Sequence, residues 1–142
     1  MKVRRIIPFK NYDINDDLKV FEPIKRELEY QLETMRRNSF TTLPSRLFAT
    51  FVIPDNDLYE DLWRPKLHLD YGYERLTLET RETLLWFNAN ILDDARLDNL
   101  NEICASYWKS ATKKVDTNNQ DFLCEAICSI SPQIIDAKFI SA

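Results

Sequence analysis

Residues 41–54, "TTLPSRLFATFVIP", decide how the rest of the chain is read. A polar segment with a proline, a serine and an arginine runs straight into "RLFATFVI", residues 46–53. The β-branched and aromatic residues of that run predict a buried strand, which Pro54 ends. Ser45 and Arg46 therefore put a hydroxyl and a permanently charged guanidinium at the mouth of a core segment. Two readings follow. Either the pair caps the start of the strand, with Arg46 reaching across to Glu33 or Glu60, or it serves a site.

Upstream, Phe21, Ile24, Leu28, Leu32 and Met35 recur at three- and four-residue steps, which predicts an amphipathic helix over 20–37 with Pro23 in its first turn. Its polar face carries Glu29, Glu33, Arg36 and Arg37 at spacings that suit pairing along a helix. Before it, "KNYDINDD" (10–17) reads as a polar loop and "VRRIIPF" (3–9) as a short strand that Pro8 pushes toward an edge. Residues 38–44 read as a Ser/Thr-rich loop. Downstream, 56–63 read as one or two helical turns and 66–69, 73–79 and 82–88 as strands, with Gly72 in a turn. From Asp93, the steps Leu97, Leu100, Cys104, Tyr107 and Ala111 predict a second helix over 93–110, capped by Asp93 or Asp94. Lys109, Lys113 and Lys114 suit its negative end. After a loop over 112–120, "DFLCEAICSI" (121–130) and "QIIDAKFI" (133–140) read as two closing strands. The pattern is a single α+β domain over 1–142: a mixed, largely antiparallel sheet with two main helices.

Composition excludes several function classes. The chain has 142 residues, 44% apolar and 30% charged, with a net charge of −4. That balance does not favour non-specific nucleic-acid binding, which rests on many Lys/Arg–phosphate contacts. No apolar run approaches the roughly 20 residues a membrane helix needs. The apolar run "IIPF" after "MKVRR" is too short for a secretory signal, so a cytoplasmic protein without membrane association is expected. Three cysteines, Cys104, Cys124 and Cys128, and one histidine, His68, do not supply a four-ligand zinc site, so no metal is expected. The cysteines read as small buried apolar residues. The single glycine rules out the Gly-rich phosphate loops of Rossmann and P-loop proteins.

A few residues stand out against this background. Glu125 sits inside an apolar stretch, where a carboxylate is costly unless paired or used. On the alternating pattern it can equally face solvent from a one-sided sheet. Tyr107 and Trp108, in "ASYWK", read either as core aromatics or as a flat face for a base. Trp63 and Trp86 read as core, and His68, alternating with apolar neighbours, as exposed on a strand face.

Glu33, Arg37, Ser39–Phe40, Pro44–Ser45–Arg46–Leu47, Ala49, Phe51–Val52, Glu60, Trp63, Ala105, Tyr107–Trp108, Glu125, Ile127 and Cys128 together form a pattern. It resembles an uncharacterised family of bacterial and phage proteins grouped with ADP-ribosyltransferase-like folds, over roughly residues 28–130. The resemblance implies a split sheet that clasps NAD as a substrate. It gives Glu125 the catalytic place, at the nicotinamide ribose, where a carboxylate stabilises the oxocarbenium-like sugar left by nicotinamide. Arg46 or Arg37 would hold the pyrophosphate, Ser45 would match the serine of the second strand, and Tyr107 or Trp108 would offer an aromatic wall. The first strand carries Arg4 and Arg5 where such folds hold adenosine with a His or Arg beside a Gly or Thr. Transfer of ADP-ribose to an acceptor is one implied function. A small interaction protein that keeps the fold without the chemistry, and binds a partner protein as a bacterial or phage modulator, is the alternative. Convergence of Arg46, Tyr107 and Glu125 on one concave site is the feature that separates them.

Overall fold

A computed structural model describes the backbone of residues 1–9, 14–47, 49–67 and 69–141, and their side chains apart from those of 14–23 and 70. The expectation for His68 and the start of the loop over 10–17 lie outside the described residues. The chain runs β1 (Lys2–Pro8), α1 (Ile14–Ser39), β2 (Thr50–Pro54), α2 (Asp57–Trp63), β3 (Tyr73–Glu79), β4 (Trp86–Asn88), α3 (Leu100–Lys109), β5 (Cys124–Cys128) and β6 (Gln133–Ile140). Two 3-10 segments, Leu69–Tyr71 and Ala89–Asp94, complete it. The fold is α+β, with one open six-stranded sheet in the order β4-β5-β2-β1-β3-β6. Every ladder is antiparallel, so the expected mixed character is corrected. The join between β1 and β2 is narrow: Val3 pairs with Pro54 and Arg4 with Ile53, and the ladder ends there.

The sheet separates two clusters of buried side chains. On one side Leu28 and Leu32 of α1 and Leu100, Cys104, Tyr107 and Trp108 of α3 pack with Phe87 and Ile127. These residues recur at helical spacing, so each helix turns one apolar stripe to the strands. On the other side Val3, Val52, Leu78, Trp86, Cys124, Ala126 and Cys128 pack with Tyr59 and Leu84. The strand β5 is therefore buried along its whole length, with Cys124, Ala126 and Cys128 facing one cluster and Ile127 the other. This explains why "CEAIC" is almost continuously apolar.

Several boundaries move for physical reasons. The helix predicted over 20–37 starts at Ile14, so residues 14–17 are helical and Pro23 lies inside the helix, not in its first turn. The strand predicted over 46–53 is a ladder only from Thr50, because Arg46 turns aside into the ion-pair network described below. The strand expected at 66–69 is replaced by turns: the Lys66 and Leu67 amides both donate to the Trp63 carbonyl, folding the chain onto the end of α2. Gly72, at φ 90°, then admits the turn into β3. Of 82–88 only Trp86–Asn88 joins the sheet. The helix predicted over 93–110 is shortened to Leu100–Lys109. Asn99 breaks it from Asp93 and Asp94, accepting from the Arg96 amide and donating to the Asp94 carbonyl. The strands 73–79 and 133–140 fall as expected.

Candidate functional site

A cavity of about 250 Å³ lies beside the short β1–β2 join. Arg4 and Ile6 come to it from β1, Phe51 and Ile53 from β2, Glu125 from β5, and Trp63 and Leu67 from α2 and the turn after it. Val52 of β2 and Arg46 complete the lining. The antiparallel register explains the meeting. Arg4 lies opposite Ile53, and Phe51 and Val52 lie opposite Ile127 and Ala126 in turn, which brings Ile53 level with Glu125. Residues level across a sheet share a face.

Arg46 and Glu125 form the polar wall. Arg46 Nη1 donates to Glu125 Oε1 at 2.6 Å and to the Tyr107 hydroxyl at 2.7 Å. Tyr107 donates its own proton to the same Oε1 at 2.6 Å. The remaining arm of Arg46 is taken by Glu29 of α1, with Nη2 at 2.9 Å and Nε at 3.0 Å from its oxygens. The guanidinium lies 4.7 Å from the centre of the Phe51 ring, over its face. Glu125 is 7% exposed. Among the described residues, no hydrogen bond goes to its second oxygen, Oε2. The carboxylate is thus oriented through one oxygen and keeps the other open.

Electrostatics hold Arg46 and Tyr107 each in one protonation state. Burial alone would lower the Arg46 pKa, but Tyr107, Glu125 and Glu29 outweigh it and raise the value, so the guanidinium stays charged. Burial, and then the Glu125 carboxylate, push the Tyr107 phenol well above its usual 10.0, so it remains a donor. Tyr107 is itself locked by packing. Its ring stacks on Phe87 at 5.1 Å and meets Trp108 edge-on at 5.2 Å.

The other residues singled out in the sequence divide. Trp108 is core: it is 1% exposed and donates to the Leu32 carbonyl at 3.0 Å. The expected aromatic wall is instead Phe51 and Trp63, and Trp63 is half-buried rather than core, donating to the Cys124 carbonyl at 3.1 Å. Ser45 and Arg37 do not line the cavity. They gather with Arg36 on Glu33, Ser45 at 2.8 Å, Arg37 at 3.0 Å and Arg36 at 2.7 Å. Chiefly through Arg36, this cluster holds the Glu33 carboxyl at about 2. Arg46 pairs with neither Glu33 nor Glu60, contrary to the simpler expectation: Glu33 is taken by Arg36, Arg37 and Ser45, and Glu60 by Arg75, Tyr73 and Arg4. Glu125 does not face solvent, because β5 is covered on both sides.

A second network lies behind the opposite wall. Glu60 of α2, with a side chain only 3% exposed, accepts from Arg75 Nε and Nη2 at 2.6 Å each, from Tyr73 at 2.6 Å and from Arg4 at 3.2 Å. Arg4 also binds Asp55 and Asp57. Burial opposes the Glu60 charge, but Arg75, Tyr73 and Arg4 prevail and hold its pKa at about 2. This network ties α2 to β1 and β3, and so carries Trp63 over the cavity. Sequence reasoning missed Glu29, Glu60 as a hub, Trp63 and Leu67. Their partners are distant in the chain, so no local spacing marks them.

Among the described residues, no group of acidic, Cys or His side chains is gathered to hold a metal, and no helix is long and apolar enough to cross a membrane. No protein-family model matches the chain, and no curated protein matches its sequence.

Proposed function

We propose that the cavity takes the nicotinamide–ribose end of NAD, and that the protein works as an ADP-ribosyltransferase-like enzyme with Glu125 as its catalytic carboxylate. The observation that carries this reading is Glu125 itself: a buried carboxylate fixed through Oε1 by Arg46 and Tyr107, with Oε2 open, on the wall of a cavity. An open Oε2 suits a hydrogen bond from a ribose hydroxyl. That bond strengthens as the ribose–nicotinamide C–N bond breaks, its electron pair leaves with nicotinamide, and positive charge grows on the sugar. An acceptor nucleophile then bonds to the anomeric carbon and loses its proton. The aromatic wall of Phe51 and Trp63 suits a flat ring.

Size sets how the substrate would lie. About 250 Å³ is below the roughly 300–1,000 Å³ of common ligand cavities, so it suits one ring and its sugar and leaves the adenosine half outside. Arg46 is spent on Glu29, Tyr107 and Glu125, so its role is to position Glu125 and not to hold pyrophosphate. Arg4 is the cation on the cavity's β1 wall.

One observation favours the alternative, an interaction protein without turnover. Both arginines of the cavity are already engaged by carboxylates, Arg46 by Glu29 and Glu125 and Arg4 by Asp55, Asp57 and Glu60. Such networks also serve to fix a fold. Calorimetric titration with NAD, joined to an assay for released nicotinamide, separates the two. The enzyme reading expects binding by wild type and by Glu125→Gln, with release by wild type alone, since an interaction made in the transition state lowers turnover and not affinity. No heat of binding at millimolar NAD sinks it and leaves the interaction protein.

A further inference from the structure

We propose that β6 is a self-association edge, on which a second copy of this chain lays its own β6 antiparallel to make a two-fold dimer with one continuous sheet. The two ends of the sheet differ. Beyond β4, the chain returns and Trp86 and Thr112 exchange both backbone hydrogen bonds, at 2.7 and 2.9 Å. Beyond β6 no such cover exists among the described residues, and β6 pairs with β3 alone. An open edge offers a row of unpaired N–H and C=O groups to another strand.

The side chains of β6 are those of an interface. Ile134, Ile135 and Phe139 are 59%, 45% and 75% exposed. The Phe139 ring meets that of Phe9 at 5.8 Å, and Phe9 is itself 37% exposed, which widens the apolar area onto the end of β1. The β3–β6 ladder shifts register at Thr77/Leu78 and leaves Ile135 without a partner on β3. An edge strand this apolar, with its side chains bare, is normally covered.

The charges say what covers it. Asp136 and Lys138 flank Ala137, and among the described residues neither has an ion-pair partner. An antiparallel copy centred on Ala137 sets Asp136 opposite the second copy's Lys138 and Lys138 opposite its Asp136. Ile135 and Phe139 of the two copies then flank this centre. A parallel, in-register copy would set Asp against Asp and Lys against Lys, which is repulsive. The antiparallel arrangement is also closed. It consumes both open edges and stops at two chains, so the edge does not seed fibres.

The test is mass in solution, by light scattering after gel filtration or by sedimentation, on the full chain over a range of concentrations. Wild type should be a dimer at tens of micromolar. Asp136→Lys and Lys138→Asp should each weaken the dimer at least about tenfold, since each turns two attractive cross-strand pairs into two repulsive ones. The double variant D136K/K138D restores complementarity and should dimerise again. An equimolar mixture of the two single variants should form a heterodimer, an outcome that misfolding cannot imitate. A wild type that stays monomeric throughout overturns the proposal and makes Lys138 a guard against pairing. So does a dimer that the single reversals leave intact.

Discussion

Replacing Arg46 with Met tests whether the site is an electrostatic unit. Met keeps an aliphatic side chain of similar length but removes the charge, and with it the guanidinium that lies over Phe51. Glu125 then loses its 2.6 Å ion pair and keeps only Tyr107. Arg46 and Glu125 have side chains 11% and 10% exposed, so water cannot fully replace the partner. Breaking a buried pair by removing one member costs about 3–5 kcal/mol, most of it the stranded charge. The bond to Glu29 adds little, about 0–1 kcal/mol, because Glu29 is 42% exposed. Glu125→Gln alone should cost less, about 1–2 kcal/mol, since the amide oxygen still accepts from Tyr107 and Arg46 keeps Glu29. The double variant R46M/E125Q removes the stranded charge and should be more stable than R46M by about 1–3 kcal/mol. Urea unfolding followed by tryptophan fluorescence measures all four corners of this cycle. If R46M costs under about 1 kcal/mol, or the two substitutions simply add, the network is not coupled as its geometry requires.

Two further outcomes follow from burial and charge. Glu60 has its pKa lowered from 4.5 to about 2, so the folded state gains about 3 kcal/mol from it above pH 4.5 and loses that as pH falls toward 2. Urea midpoints measured across that range should fall steeply, and less steeply in Glu60→Gln. Glu33, also lowered to about 2 and chiefly by Arg36, contributes in the same direction over the same pH range. Phe87, with no exposed surface, should cost about 3–5 kcal/mol on truncation to Ala, the range for a buried aromatic, and half-buried Phe51 about 2 kcal/mol. Equal costs in a denaturant titration would mean that Phe51 is not on the cavity wall.

How much of this was legible beforehand depends on the range of the forces involved. The α+β class, the stripe Leu28–Leu32–Met35, the strand "YERLTLE" and the closing strand "QIIDAKFI" follow from local periodicity, because the backbone repeats of helix and strand are themselves local. The expectation that Arg46, Tyr107 and Glu125 share one site came from the family resemblance and not from periodicity; the structure does bring the three together. Two other kinds of fact were not legible. One is where a pattern stops. The strand at 46–53 shrank to Thr50–Pro54 and the helix at 93–110 to Leu100–Lys109, because Arg46 and Asn99 each found partners that outweighed propensity. The other is which charge meets which.

The sequence by itself determined the inventory: one glycine and hence no phosphate loop, a polar pair before a buried strand, and a glutamate inside an apolar one. Only the tertiary structure decided that Arg46 answers Glu29 and Glu125, that Ser45 and Arg37 attend Glu33 instead, and that Trp63 and not Trp108 faces the cavity. The reason is that an ion pair acts through space over a few ångströms, without regard to separation along the chain. Arg46 and Glu125 are 79 residues apart in sequence, and only the antiparallel stacking of β1, β2 and β5 beneath α1 and α3 makes them neighbours.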